Sequence, residues 1–71
     1  MSFGTKLKTY RLRYGMNQKT LAERIGIHPE HLGAIEREEV NPPKTRTIGR
    51  IIKVLHLTSE EATDLISAAF E

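Results

Sequence analysis

His28 and His31 are the side chains whose type and spacing come nearest to reactive chemistry. Two histidines three residues apart at a helix start lie on one face, where both imidazoles can reach a metal ion. No third ligand is close in the sequence and the chain has no cysteine, so we expect no metal and no cofactor. No serine–histidine–aspartate, cysteine–histidine or clustered-carboxylate arrangement occurs either. The sequence therefore does not predict an enzyme.

The length of the chain limits its architecture. A chain of 71 residues buries only about 60% of its unfolded surface, which leaves room for a single modest core. We therefore interpret residues 1–71 as one domain. No stretch approaches the roughly 18 apolar residues needed to cross a bilayer, and the lack of cysteine suits a reducing compartment. We expect a soluble, cytoplasmic protein with no membrane partner.

The charges are more informative in their distribution than in their sum. A net charge of +2 is a weak electrostatic case for nucleic acid. However, residues 1–29 carry six basic side chains against one acid, and residues 44–53 carry four basic side chains and no acid. The acids are concentrated in residues 30–39 and from residue 60 onward. This pattern predicts two separate basic stretches.

Apolar spacing and end signals predict helices throughout and no strands. Apolar residues recur at intervals of three or four, as on one face of an amphipathic helix. Polar caps and a first-turn proline favour helix starts, and glycine favours helix ends. These signals predict helices from Phe3 to Tyr14 before Gly15, from Asn17 to Gly26, from Pro29 to about Arg37, from Thr45 or Arg46 to about Leu55, and from Thr58 or Ser59 onward. A loop that contains Asn41-Pro42-Pro43 separates the third and fourth helices.

The connection between the second and third helices is only Gly26-Ile27-His28. So short a link with a glycine forces a steep crossing, which is the geometry of a helix-turn-helix. Ala22 is small where the two helices must approach closely, and Gly26 suits a positive φ. The sequence therefore predicts an all-α five-helix bundle with a helix-turn-helix at helices two and three.

Several short motifs then occur in order along the chain. They are Gly15-Met16-Asn17-Gln18, Leu21-Ala22, Gly26-Ile27, Leu32, Ile35-Glu36 and Asn41-Pro42. Together they resemble the Cro and phage-repressor (Xre-type) helix-turn-helix family, over about residues 3–57. The resemblance implies a compact lambda-repressor-like fold, double-stranded DNA as partner, and regulation of transcription, with repression as the default.

The resemblance also implies a set of DNA-contacting residues. In this family the exposed start of helix three meets base edges, and the matching positions are Pro29, Glu30, His31 and Ala34. His31 can donate to a base, Glu30 can accept from a cytosine amino group, and Ala34 can touch a thymine methyl. Phosphate contacts are expected at Asn17, Gln18, His28, Arg37, Asn41, Lys44 and Arg46. The chain departs from the family pattern at Gly33 and at Glu38-Glu39.

Other charged residues are expected to have structural or solvated roles. In this family the arginine that matches Arg11 pairs with the glutamate that matches Glu36, and we expect the same structural ion pair here. His28 is expected to cap helix three or to lie beside a phosphate. Five basic side chains are expected on ordinary solvated faces: Lys6, Lys8, Lys19, Arg24 and Lys53.

The C-terminal helix, residues 58–71, carries the apolar stripe Leu65, Ile66, Ala69 and Phe70. Part of this stripe must join the core, and the surplus is expected to form a homodimer. One alternative is an antitoxin-like or phage-encoded regulator that binds another protein through residues 62–70. Another, of a different class, is a helical protein-interaction module without DNA binding, favoured by the weak net charge and Glu38-Glu39.

Overall fold

The computed structural model describes residues 2–70 and contains five α-helices in that range, with no strand. They are α1 (Phe3–Tyr14), α2 (Gln18–Ile25), α3 (Pro29–Glu36), α4 (Thr45–Val54) and α5 (Ser59–Ala69). The prediction of an all-α five-helix bundle is confirmed, and each predicted helix end lies within about two residues of its observed position. None of these helices is both long and apolar enough to span a membrane.

Helix ends in the first half of the chain follow from their capping residues. Gly15 ends α1 in the left-handed conformation at φ 84°, and Gly26 ends α2 at φ 77°, where a side chain would be strained. Asn17 caps the start of α2, because its side-chain oxygen accepts a hydrogen bond of 2.8 Å from the Thr20 N–H.

The start of α5 is fixed by a reciprocal cap. The Thr58 hydroxyl accepts from the Glu61 N–H, and the Glu61 carboxylate accepts from the Thr58 N–H, which is a capping box. The hydrogen bond from the Thr58 backbone lowers the pKa of Glu61 below its ordinary value. The expected cap at residues 58–59 is therefore Thr58.

The core lies between all five helices. The fully buried large side chains are Leu7, Leu21, Ile25, Leu32, Ile35, Ile51 and Leu65, so every helix contributes at least one. Helix α2 packs on α3 and α4, whereas α1 packs on α3 and α5. Leu32 and Ile35 pack the inner side of α3 into the core. No other helix within residues 2–70 covers its outer side, where Glu30 and His31 are exposed to solvent.

Polar contacts attach α5 to α1. Lys6 Nζ lies 2.5 Å from Asp64 Oδ1, and the Tyr10 hydroxyl donates to Asp64 Oδ2 at 2.9 Å. These two hydrogen bonds, from Lys6 first and Tyr10 second, lower the pKa of Asp64. The expectation that Lys6 lies on a solvated face is wrong, because α5 lies beside α1 and supplies an acid that a local sequence pattern does not reveal.

The apolar stripe of α5 is divided between core and surface. Leu65 and Ala68 are buried and Ala69 is half-buried, whereas Phe70 is 76% exposed and Ile66 is also exposed. Leu65 therefore belongs to the core, and the exposed remainder of the stripe is Ile66 and Phe70.

Candidate nucleic-acid interface

The turn between α2 and α3 is closed by the backbone. The N–H groups of Gly26 and Ile27 both donate to the Ala22 carbonyl, the second at 3.0 Å. The Ala22 side chain is fully buried, as a close crossing of two helices requires. His28 is extended and leads directly into Pro29, the first residue of α3. Helices α2 and α3 thus form the predicted helix-turn-helix.

His28 caps α3 through its ring. Its Nδ1 accepts a hydrogen bond of 3.2 Å from the Glu30 N–H. A ring nitrogen that accepts carries no proton, so a neutral His28 has its N–H at Nε2, facing away from the cap. That N–H can donate to an acceptor outside the chain. Within residues 2–70 no three His, Asp or Glu side chains are grouped closely enough to hold a metal.

The outer side of α3 presents the residues expected to contact bases. Glu30 and His31 are exposed, and Pro29 and Ala34 are half-buried. Residues 30, 31 and 34 lie on one side of the helix, whereas Leu32 and Ile35 are buried in the core. The structure therefore brings positions 30, 31 and 34 together on one side of α3, and places Pro29 at the start of the helix.

A buried ion pair joins α1 to the end of α3. Arg11 Nε donates to Glu36 Oε2 at 2.6 Å, and Arg11 Nη2 donates to Glu36 Oε1 at 2.9 Å. The third nitrogen, Nη1, donates to the Met16 carbonyl at 2.8 Å. Arg11 and Glu36 are 5% and 6% exposed, so water does not screen the pair. This bidentate geometry fixes α3 relative to α1.

Gln18 links this pair to the surface. Its Nε2 donates to Glu36 Oε1 at 2.9 Å, which uses one of the two amide hydrogens. The second hydrogen remains for an external acceptor such as a phosphate. Gln18 also lines a shallow groove together with Pro29, Glu30, Gly33 and Arg37. Sequence reasoning gave Gln18 and Glu36 separate roles, because only the packing of α2 against α3 brings them together.

Gly33 is the floor of this groove. A Cβ atom at this position would lie 3.1 Å from Arg37 Nη1 and 3.5 Å from Gln18 Oε1. The absence of a side chain, seen in the sequence as a departure from the family pattern, therefore leaves room for the two longer side chains. Gly33 itself cannot make a polar side-chain contact at this position, but its lack of a side chain keeps the groove open.

Arg37 is expected to contact phosphate, and the structure pairs it with an acid. Its Nε and Nη2 donate to the Glu39 carboxylate at 3.0 and 3.2 Å. The hydrogen bond from Arg37 lowers the pKa of Glu39. Both side chains are more than half exposed, and such surface pairs are weak because water and salt screen them. Arg37 can therefore exchange this partner for another anion.

The loop before α4 carries the remaining predicted phosphate contacts. Asn41, Lys44 and Arg46 are all exposed, and Lys44 is the residue that precedes the first turn of α4. Neither basic residue takes part in an ion pair within residues 2–70. The Asn17 side chain, in contrast, is already used to cap α2.

The sequence matches the model of the family described as Helix-turn-helix over residues 7–61, most of the chain. The chain belongs to the Xre-type helix-turn-helix family. The resemblance to Cro and phage repressors is thereby confirmed. A protein of Archaeoglobus fulgidus named as an uncharacterized HTH-type transcriptional regulator is 30% identical over 57 residues, which cover 80% of each chain. No solved structure was found to match.

Membership of the Xre-type family indicates the kind of partner that the helix-turn-helix binds. The family's helix-turn-helix is a DNA-binding unit of transcription regulators and is not typically enzymatic. In this chain the helix-turn-helix consists of α2 and α3, and Gln18 is the first residue of α2. The chain is accordingly a DNA-binding regulator at the level of its family.

Proposed function

We propose that this Xre-type protein is a sequence-specific regulator that places α3 in the DNA major groove, and that it acts chiefly as a repressor. The observation that carries the proposal is the uncovered outer side of α3, whose inner side is immobilised by core packing and by the Arg11–Glu36–Gln18 network. A rigid helix with a free face is what groove insertion requires. Repression follows when the bound protein blocks access of the polymerase to the operator.

Base contacts are proposed for the exposed first turns of α3. The His31 N–H donates to a purine or thymine acceptor, and Glu30 accepts from a cytosine amino group. Ala34 lies against a thymine methyl, while Pro29 packs beside the base edges. No arginine or glutamine, the side chains that form the commonest bidentate base contacts, is among the four. The support for this assignment is the exposure of Glu30 and His31 and the position of Ala34 on the same side of α3, which half-buried Pro29 begins.

Phosphate contacts are proposed on both sides of α3. Gln18 donates its second amide hydrogen, His28 donates from Nε2, and Asn17 contributes at the start of α2 beside its cap. On the other side the proposed donors are Arg37, Asn41, Lys44 and Arg46. Such contacts set the register of the protein on DNA, and the bases then specify the sequence.

The experiment that tests this function is fluorescence anisotropy across a salt series, with a duplex selected from a random pool and an unselected duplex. We expect wild type to prefer the selected duplex by about 10³-fold or more. The double variant Glu30→Ala/His31→Ala should lose most of that preference, because it removes base contacts. Gln18→Ala should weaken binding to both duplexes alike, because it removes a phosphate contact while the Arg11–Glu36 pair still holds α3.

The matched control is Glu60→Ala/Thr63→Ala on the exposed side of α5, which also removes one acid and one polar side chain. It should bind as wild type does. Circular dichroism confirms that each variant is folded before titration. Absence of salt-dependent binding by wild type, or identical behaviour of the α3 variant and the control, would contradict the proposal and favour a protein-interaction module.

Glu39→Ala is expected to strengthen DNA binding several-fold. It frees Arg37 from its acidic partner and removes a negative charge near the proposed interface. Affinity for selected and unselected duplexes should rise together. The slope of log affinity against log salt concentration should become steeper by about 1, because one more counter-ion is released. Glu60→Ala makes the same change in net charge on α5, so an equal gain there would show that only the overall charge matters.

We also infer that the protein acts as a homodimer through the exposed part of α5. Phe70 and Ile66 form an uncovered apolar end of the bundle, and a two-fold dimer would place two α3 helices on half-sites about one helical turn apart. Duplexes with one and two selected half-sites distinguish this from a monomer, since only a dimer gains from the second. If the second half-site adds nothing, the uncovered Phe70 favours a different protein as partner of residues 62–70.

A further inference from the structure

The outer side of α4 is a second basic surface, distinct from the face of α3. Arg46, Gly49, Arg50 and Lys53 are exposed and, at spacings of three and four, lie on one side of the helix. Ile48 and Ile51 lie on the buried side. The four exposed residues, with half-buried Ile52 at the edge, line a shallow open groove. We call this surface the α4 basic face.

The positive charge of the α4 basic face has no acidic partner among residues 2–70. Residues 40–59 contain no acid, and neither Arg46, Arg50 nor Lys53 takes part in an ion pair within residues 2–70. Four other basic side chains are paired with carboxylates: Lys6, Arg11, Arg13 and Arg37. Three positive charges without an acidic partner in the described part of the chain therefore lie together on one side of a single helix, where they attract an anion.

Gly49 lies in the middle of the α4 basic face, and neither packing nor backbone conformation requires a glycine there. A Cβ atom added there meets nothing within 4 Å, and its φ is not in the left-handed region. Glycine inside a helix is less stable than alanine, so the bare backbone is a cost that packing within the chain does not require. A position without a side chain lets an external group approach the helix closely.

Arg50 is held in place at the edge of the helix-turn-helix. Its Nη1 donates to the Ile25 carbonyl at 3.3 Å and lies 3.3 Å from the Cβ position of Gly26, the first residue of the turn. A guanidinium has five N–H donors, so the others are available to a ligand. The α4 basic face therefore adjoins the turn that leads into α3.

We propose that the α4 basic face binds the sugar–phosphate backbone of DNA that flanks the bases read by α3, with the backbone passing over Gly49. The inference rests on the proposed DNA-binding function and extends the contacted DNA beyond the region near Lys44 and Arg46. Continuity with the proposed phosphate contacts favours DNA over an acidic protein segment, because Lys44 directly precedes α4 and Arg46 belongs to both surfaces. The contact is independent of base sequence, because it involves phosphates alone.

The test compares Gly49→Ala and Lys53→Gln with wild type on two duplexes: the selected core, and the same core extended by about one helical turn on each side. We expect wild type to bind the extended duplex about tenfold more tightly. Lys53→Gln should lose much of this gain and reduce the salt slope on the extended duplex by about 1. Gly49→Ala should also lose it, although its melting temperature should rise by about 4–8 °C through better helix propensity.

Lys8→Gln, which removes one exposed charge from α1, is the control and should retain the gain from flanking DNA. Loss of binding in Gly49→Ala despite greater stability is an outcome that neither misfolding nor net charge produces. If both α4 variants keep the gain while the α3 variant loses sequence preference, the inference is wrong and the proposed function stands. If the two α4 variants lose as much affinity for the short core as for the extended duplex, the contact does not lie on the flanking DNA. If wild type does not bind DNA, both proposals are wrong.

Discussion

Glu36→Ala is expected to lower the free energy of unfolding by about 3–5 kcal/mol, as observed when one partner of a buried ion pair is removed. The Glu36 carboxylate accepts three hydrogen bonds, two from Arg11 and one from Gln18. Its removal leaves the Arg11 guanidinium charged and buried without a counter-ion. A chain of this length is stable by only about 4–10 kcal/mol, so urea unfolding should be measured at low temperature.

The double variant Arg11→Met/Glu36→Leu separates the buried charge from the packing. It removes both charges and keeps similar volume, and such replacements are often neutral or stabilising. We expect it to recover most of the stability lost in Glu36→Ala. If the double variant is as unstable as the sum of the single variants Arg11→Met and Glu36→Leu, the pair is not coupled and the explanation is wrong.

Gly4→Ala is expected to destabilise the protein by about 1–3 kcal/mol or more, because it overpacks the crossing of α1 and α3. A Cβ atom at Gly4 would lie 2.4 Å from the Ile35 carbonyl oxygen and 2.8 Å from that of Glu36. Both are backbone atoms, so no side-chain rotation relieves the clash and α1 must move away from α3. Thermal unfolding followed by circular dichroism measures the loss.

Gly49→Ala is the matched control for Gly4→Ala, since both replace a helical glycine with alanine. The Cβ at Gly49 meets nothing, so helix propensity alone predicts a gain of up to about 1 kcal/mol. Opposite signs for the two substitutions would show that packing, and not propensity, determines the role of Gly4. A gain in both would mean that α1 and α3 do not approach as closely as described.

The helices could be predicted because their ends depend on local chemistry. Gly15, Asn17, Gly26, Pro29 and Thr58 each act on backbone groups within a few residues, and the sequence therefore contains the whole cause. The crossing of α2 and α3 is also local, since a link of three residues leaves little freedom.

Contacts between distant segments could not be predicted in the same way. The pairing of Lys6 with Asp64 spans 58 residues along the chain and exists only because α5 lies beside α1. The closeness of Gly4 to the carbonyls of α3 likewise depends on a crossing angle that no spacing pattern encodes. The resemblance gave the positions expected to contact DNA, but not that Gln18 would also bind Glu36.

The division of α3 into a packed inner side and a free outer side has an evolutionary consequence. Leu32 and Ile35 hold the helix in the core, whereas Glu30 and His31 are exposed to solvent. Duplicated copies of this gene can therefore diverge at the outer positions without losing the stability of the fold. Under the proposed function, changes of a few surface residues on an unchanged scaffold would give such copies new DNA targets.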